Sequence, residues 1–186
     1  MIKCITDTET TGLDPEIHTV HQLSCIVLDD KDVEIDLIDL KFRPAKLDYE
    51  QAALEKSHIT MEELYSRELS SEDAFKIYTK FLDKYADRFN PKDKMQFVAY
   101  NSVFDEDFVS KWFDNTPMDY MYGSYFWRPS LCLYRVAAWI LRDARVTSAF
   151  TLKSLCEFAG IEFNEDDAHD AMYDARKTAE LYLKLV

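Results

Sequence analysis

The fold turns on residues 2–13, IKCITDTETTGL. Residues 2–6 form a short apolar and β-branched run that reads as a buried strand. It ends in Asp7 and Glu9, two residues apart and therefore on the same side of the pleat. Gly12 and Pro15 then turn the chain. Two carboxylates this close repel each other unless a cation lies between them. Taken alone, D-x-E reads better as a strand fraying into a solvated polar turn, so the pair needs partners elsewhere in the chain.

Outward from this strand, residues 23–28 (LSCIVL) predict a second buried strand. Residues 33–42 alternate as Val33, Ile35 and Leu37, then slip phase to Ile38, Leu40 and Phe42, which predicts a third strand with a bulge near Leu37. Short turns between the three imply an antiparallel meander. A helical region follows, with a short stretch at Gln51–Lys56. A longer helix is opened by Ser70 with Asp73 as its capping-box partner, and its apolar stripe is Ala74, Phe75, Tyr78, Phe81, Leu82 and Tyr85. Residues 96–100 (QFVAY) predict a fourth strand, after which Phe104, Phe108, Val109, Trp112 and Phe113 recur at helical spacing.

A fifth strand is expected at 125–131 and a helix at 136–144. Another helix carries Leu152, Leu155, Cys156 and Ala159, with Gly160 at a left-handed cap. The last helix carries Ala171, Ala175, Thr178, Tyr182 and Leu185. Strands first, then strands interleaved with helices, imply an α/β fold: a mixed sheet covered by helices on both faces. The Tyr- and Trp-rich stretch 114–130 reads as an insertion, whether lid, packing segment or partner surface.

With 186 residues and 47% apolar side chains, one domain over 1–186 is expected. Charged residues break the apolar runs well short of a bilayer span, and MIKCITDTET lacks a basic region followed by a hydrophobic one, so no membrane partner is expected. Cys4, Cys25, Cys132 and Cys156 are far apart and form no C-x-x-C pair, which reads as buried thiols in a reducing cytoplasm. A net charge of -13 argues against a protein that coats long duplexes. A carboxylate pocket that binds cations would reverse its own local field, so a strand end is still an allowed ligand. With three glycines there is no G-x-G-x-x-G or Walker-type phosphate loop.

Two further groups complete the signal. Asn101, Phe104 and Asp105 fall where the fourth strand gives way to a helix, so Asp105 stands at a strand's carboxyl end, where open α/β sheets bind ligands. Asp105 could equally serve the first helical turn, where an acid favours the macrodipole. His169 and Asp174 open the last helix. Asp174 lies three residues after Ala171 and four before Thr178, on the side that faces the sheet, where a bare carboxylate rarely goes. His169 alone reads as a capping or surface histidine.

Together, D-x-E-T-T-G-L (7–13), N-x-x-F-D (101–105) and H-D-A-x-x-D (169–174) resemble the three motifs of the DEDDh 3′→5′ exonucleases. That group includes the proofreading subunit of bacterial replicative polymerases, oligoribonuclease and ribonuclease T. The motifs stand in order across nearly the whole chain. The resemblance implies a ribonuclease-H-like fold, with a five-stranded mixed sheet whose first three strands are antiparallel neighbours. It implies that Asp7, Glu9, Asp105 and Asp174 hold two Mg2+ or Mn2+ ions and that His169 is the general base. Thr8, Thr10, Thr11, Leu13, Asn101 and Phe104 would bind substrate. Tyr100 departs from the histidine that many relatives carry before the asparagine.

The implied activity is hydrolysis of phosphodiester bonds from the 3′ end of single-stranded DNA, releasing nucleoside 5′-monophosphates. A polymerase partner is compatible with this. An RNA-trimming or oligoribonucleotide-degrading enzyme is the alternative, and a catalytically silent module with the same fold is a third reading. Against the third stands the filling of all five catalytic positions. Phosphodiester hydrolysis needs an activated nucleophile, charge stabilisation and help for the departing oxygen, which two hard cations about 4 Å apart supply. Clustered oxygen ligands with no cysteine nearby suit magnesium or manganese, and histidine suits the proton transfer.

One region runs against the acidic whole. Arg128, Arg135, Arg142, Arg145 and Lys153 face Asp143 alone, with Trp127, Tyr134, Trp139 and Phe150 interleaved. This is either a surface for a single strand or an amphipathic helix with Arg135 and Arg142 on its solvated face.

Overall fold

The computed structural model describes residues 1–116, 121–142 and 150–186. Strands β1 (Lys3–Thr10), β2 (Val20–Leu28) and β3 (Glu34–Lys41) form the antiparallel meander anticipated from their short connections. Strand β4 (Met95–Ala99) pairs parallel to β1, and β5 (Phe126–Cys132) pairs parallel to β4, giving the order β3-β2-β1-β4-β5. The helices are α1 (Gln51–Lys56), α2 (Met61–Ser66), α3 (Ser71–Leu82), α4 (Ser102–Asn115), α5 (Tyr122–Tyr125), α6 (Leu133–Ile140), α7 (Leu152–Phe158) and α8 (Ala171–Leu185). Among the described residues, no helix is long and apolar enough to cross a membrane.

The period-2 alternation of β1 divides the core in two. Cys4 joins Phe75 and Tyr78 of α3 and Phe108, Trp112 and Phe113 of α4 on one face. Ile5 joins Leu155 of α7 and Ala175, Leu181 and Tyr182 of α8 on the other. Helices therefore cover both faces. Asp7 and Glu9 share the parity of Ile5, so the strand that buries Ile5 under α8 points both acids toward the start of that helix.

Two bulges shape the sheet. In β3, Asp36 pairs with Val27 and Glu34 with Leu28, so the extra residue is Ile35 and not a position near Leu37. Ile35 and Leu37 are exposed, while Leu40 and Phe42 are buried. The phase slip in the sequence thus mixes an outer face of apolar residues with an inner one. In β2, Glu9 pairs with Gln22 and Thr10 with Val20, leaving His21 as the extra residue. This bulge bends the sheet beside Glu9.

Strand β5 begins one residue later than its pattern suggests. Helix α6 runs over Leu133–Ile140 in place of 136–144, and residues 143–149 lie outside the described residues. Much of 114–130 proves to be a packing segment: Tyr122, Tyr125 and Phe126 are buried. Phe126 meets Phe97 edge-on at 5.4 Å between centroids, and Tyr125 lies 5.9 Å from Phe113. Residues 117–120 of that stretch are outside the described residues. Ser70 caps α3 as expected, accepting from the Asp73 N–H at 3.1 Å, but its hydroxyl, not its backbone, meets the Asp73 carboxylate. A full capping box between Thr60 and Glu63 opens α2.

His21 is buried, and its Nδ1 lies 3.4 Å from the Arg67 guanidinium. Because that group only donates, Nδ1 is the acceptor and the ring proton sits on Nε2. Burial, and then the Arg67 charge, pull the His21 pKa down to about 3. The unfolded chain protonates this histidine near pH 6.5 while the folded chain keeps it neutral. Folded protein therefore binds fewer protons between those values, and stability falls as pH drops through them. Between pH 7 and pH 5 the parent should lose roughly 2 kcal/mol more unfolding free energy than H21Q, measured by denaturant titration. Equal losses would contradict the neutral, buried assignment.

Candidate active site

The carboxyl ends of β1 and β4 and the amino ends of α4 and α8 meet at a cleft of about 690 Å³. Asp7 and Glu9 enter from β1, Asp105 from the first turn of α4, Asp174 from the first turn of α8 and His169 from the loop before it. All five line the cleft. Ligand atoms of Glu9, His169 and Asp174 lie within 4.8 Å of one another. Asp7 and Asp105 border the same cavity outside that close triad.

Three of the four acids are held by specific donors. Asp105 Oδ1 accepts from the Thr8 N–H at 3.0 Å and the Thr8 hydroxyl at 2.9 Å. Glu9 Oε2 accepts from the Ser57 hydroxyl at 2.6 Å. Asp174 Oδ2 accepts from the His169 backbone N–H at 3.1 Å, while its Oδ1 is buried without a hydrogen-bond partner. Asp170, the N-cap of α8, accepts from the N–H groups of Met172 and Tyr173, which leaves Asp174 free to face the sheet.

Burial sets the electrostatics. Asp7 is pushed well above the usual carboxylate range by burial, then by the charges of Asp105, Asp174 and Glu9. Burial raises Glu9 to about 8 against the Ser57 hydrogen bond, and Asp105 to about 7 against the two Thr8 donors. Asp174 rises to about 6, again through burial, opposed by the His169 N–H. His169 moves down, through burial and then the charges of Lys56 and His58, which keeps its imidazole neutral near pH 7. Acids that resist ionising together, one of them with an orphaned oxygen, suit divalent cations.

The six residues anticipated as substrate contacts divide. Leu13 is 69% exposed at the cleft, and Asn101 and Phe104 also line it. Asn101 is the N-cap of α4 but makes no side-chain cap, and Phe104 rests on Phe108 at 4.8 Å. Thr8 and Thr10 line the cleft as well, and all three threonines also make hydrogen bonds within the frame. The Thr8 hydroxyl is committed to Asp105, the Thr10 hydroxyl donates to the Gly12 carbonyl at 2.7 Å, and Thr11 Oγ1 accepts from the Thr19 N–H at 3.1 Å. Thr11 does not border the cleft. Gly12 is required by close packing, since a Cβ there would fall 2.5 Å from the His18 ring.

Sequence reasoning missed Lys56 and Ser57. Helix α1 ends in a Schellman motif: the Ile59 N–H reaches the Leu54 carbonyl at 3.1 Å and the His58 N–H reaches that of Glu55 at 3.3 Å. His58 occupies the left-handed position at φ 50, where glycine is usual. His169 is left-handed too, at φ 66. Non-glycine residues in that region carry strain that concentrates at functional sites. The helix end is what carries Ser57 to Glu9 and Lys56 to the cleft. A left-handed stop without glycine leaves no clear mark in the sequence.

A family model for exonucleases of the ribonuclease T type matches residues 4–182. The chain belongs to that exonuclease family. A ribonuclease T from Wigglesworthia glossinidia brevipalpis is 33% identical over 90 residues, covering 48% of this chain and 38% of the relative. One from Baumannia cicadellinicola is 34% identical over 89 residues, again 48% of this chain and 37% of the relative. The chain thus spans well under half of the length of these curated relatives. Among solved structures, the zinc-bound complex of E. coli exonuclease I with single-stranded DNA superposes with a TM-score of 0.74 at 24% identity, covering 100% of this chain and 40% of that one. A 3′-exonuclease solved in specific recognition of the 3′ end of a histone mRNA stem-loop gives 0.74 at 14% identity, covering 98% and 80%. The shared fold is the ribonuclease-H-like one.

The mutual repulsion of the acids can be measured. With metal chelated at pH 8, D7N should unfold with about 1 kcal/mol or more additional free energy, because it removes a buried like charge from the cluster. A destabilised D7N in a denaturant titration would contradict the repulsive cluster.

Proposed function

We propose that the protein is a metal-dependent 3′→5′ exonuclease that trims single-stranded nucleic acid, DNA in the first instance, to nucleoside 5′-monophosphates. The observation that carries this reading is the convergence of Glu9, His169 and Asp174 within 4.8 Å, in a cleft shared with Asp7 and Asp105. On this reading Asp7, Glu9, Asp105 and Asp174 hold two divalent cations, Mg2+ or Mn2+. Such ions, when bound, supply charge neutralisation and Lewis acidity at the phosphodiester. The protein's own residues do the rest. Thr8 fixes Asp105 and Ser57 fixes Glu9, so the ligand oxygens are preorganised. Neutral His169 accepts a proton from the attacking water at its ring nitrogen. Leu13, Phe104 and Asn101 flank the terminal nucleotide and orient it.

The single-stranded substrate is supported by the DNA-bound exonuclease I that shares this fold. RNA is the second reading, favoured by the ribonuclease T relatives and by the 3′-exonuclease that recognises histone mRNA. The four cysteines are free and buried, which agrees with a reducing cytoplasm.

A 5′-labelled single strand incubated with Mg2+ or Mn2+ should give a ladder that shortens from the opposite end, and matched DNA and RNA strands rank the two substrates. H169A should bind Mn2+ as the parent does while its rate falls roughly 10²- to 10⁴-fold. Parental rates in H169A would overturn the general base. A parent that leaves both strands intact would overturn the activity.

A further inference from the structure

The cleft continues outward into a row of aromatic side chains. The Tyr100 hydroxyl donates to the Phe150 carbonyl at 2.6 Å, and both residues line the cleft. Tyr134, in the first turn of α6, meets both rings edge-on, with centroids 6.3 Å from Tyr100 and 6.1 Å from Phe150. Helix α6 is anchored by Leu133 and Ala137, which are buried. Its other side bears Tyr134, Arg135 and Trp139, and Trp139 is 69% exposed. Arg135 and Trp139 are four residues apart and therefore neighbours on the helix surface. The Arg142 guanidinium stacks over the Trp139 ring at 4.7 Å.

Residues 121–142 contain three arginines and no acidic residue, in a chain with 35 Asp and Glu. An exposed indole flanked by guanidinium groups offers a stacking plane with phosphate partners on either side. We propose that the outer face of α6 is a track for the single strand leading away from the cleft, with Trp139 stacking a base and Arg135 meeting the backbone. This rests on the reading that the cleft takes a 3′ end. Charge complementarity and continuity with the cleft through Tyr100, Phe150 and Tyr134 select a nucleic-acid strand as the occupant.

The test is equilibrium binding of labelled oligothymidylates with metal chelated, so that no hydrolysis intervenes. The parent should bind a strand of about twelve nucleotides at least about tenfold more tightly than one of about three, a difference equal to one stacked base. The double variant R135A/W139A should bring the two within about twofold, and W139F should restore most of the gap. R135A alone should reduce the slope of log K against log salt by about 0.7. Failure of the parent to prefer the longer strand, an unchanged gap in the double variant, or an equal loss of affinity for blunt duplex would each overturn the track. Both side chains lie outside the catalytic cleft, so with Mn2+ the double variant should still trim the short strand at the parental kcat. If neither protein trims it while the binding gap behaves as stated, the track stands and the exonuclease reading falls.

Discussion

Four carboxylates occupy one cleft, and burial makes each of them resist ionisation in the presence of the others. They cannot relax apart, because Asp7 and Glu9 are fixed by the pleat of β1 while Asp105 and Asp174 sit in the first turns of α4 and α8. Those two helix starts present positive dipole ends to the acids and offset part of the repulsion. Hydrogen bonds from Thr8, Ser57 and the His169 backbone offset more. What remains is a standing demand for positive charge, and Asp174 Oδ1 is buried there without a partner.

The surrounding fold serves to hold this arrangement. The parity of β1 sends Ile5 under α8 and so aims Asp7 and Glu9 at the same helix. A bulge at His21 bends the sheet beside Glu9. The left-handed His58 follows the end of α1 beside the cleft, and the left-handed His169 precedes the N-cap of α8. On the opposite face, the stacked Phe42 and Trp112 rings and their neighbours pack α3 and α4 onto the sheet, which fixes the helix that carries Asp105. Preorganisation of this kind lets a site act on charge as it develops without rearranging first.

Much of this was legible in the sequence. Asp7, Glu9, Asp105 and His169 each had an ordinary reading taken alone, Asp174 stood out as an acid on an apolar helix face, and the resemblance of the three ordered motifs is what singled out the set. The meander and the alternation of later elements followed from periodicity. Less legible were features that depend on side chains finding each other across the fold. That the Thr8 hydroxyl donates to Asp105 has no signal in the sequence, since the two residues are far apart in the chain. Ser57 lies in a polar run with no pattern of its own. The slip in β3 misplaced its bulge because an edge strand can show apolar residues on its outer face. The stretch around Tyr122 and Phe126 looked inserted because aromatic packing across α4 and β4 has no short-range period.

The central claim is that these acids tolerate one another because cations come between them. Titration of the parent with Mn2+, counting free ion by its paramagnetic resonance signal, tests it without reference to any substrate. The account predicts two ions taken up per folded chain, with protons released as they bind. A folded protein that leaves all of the manganese free at millimolar concentration would contradict it.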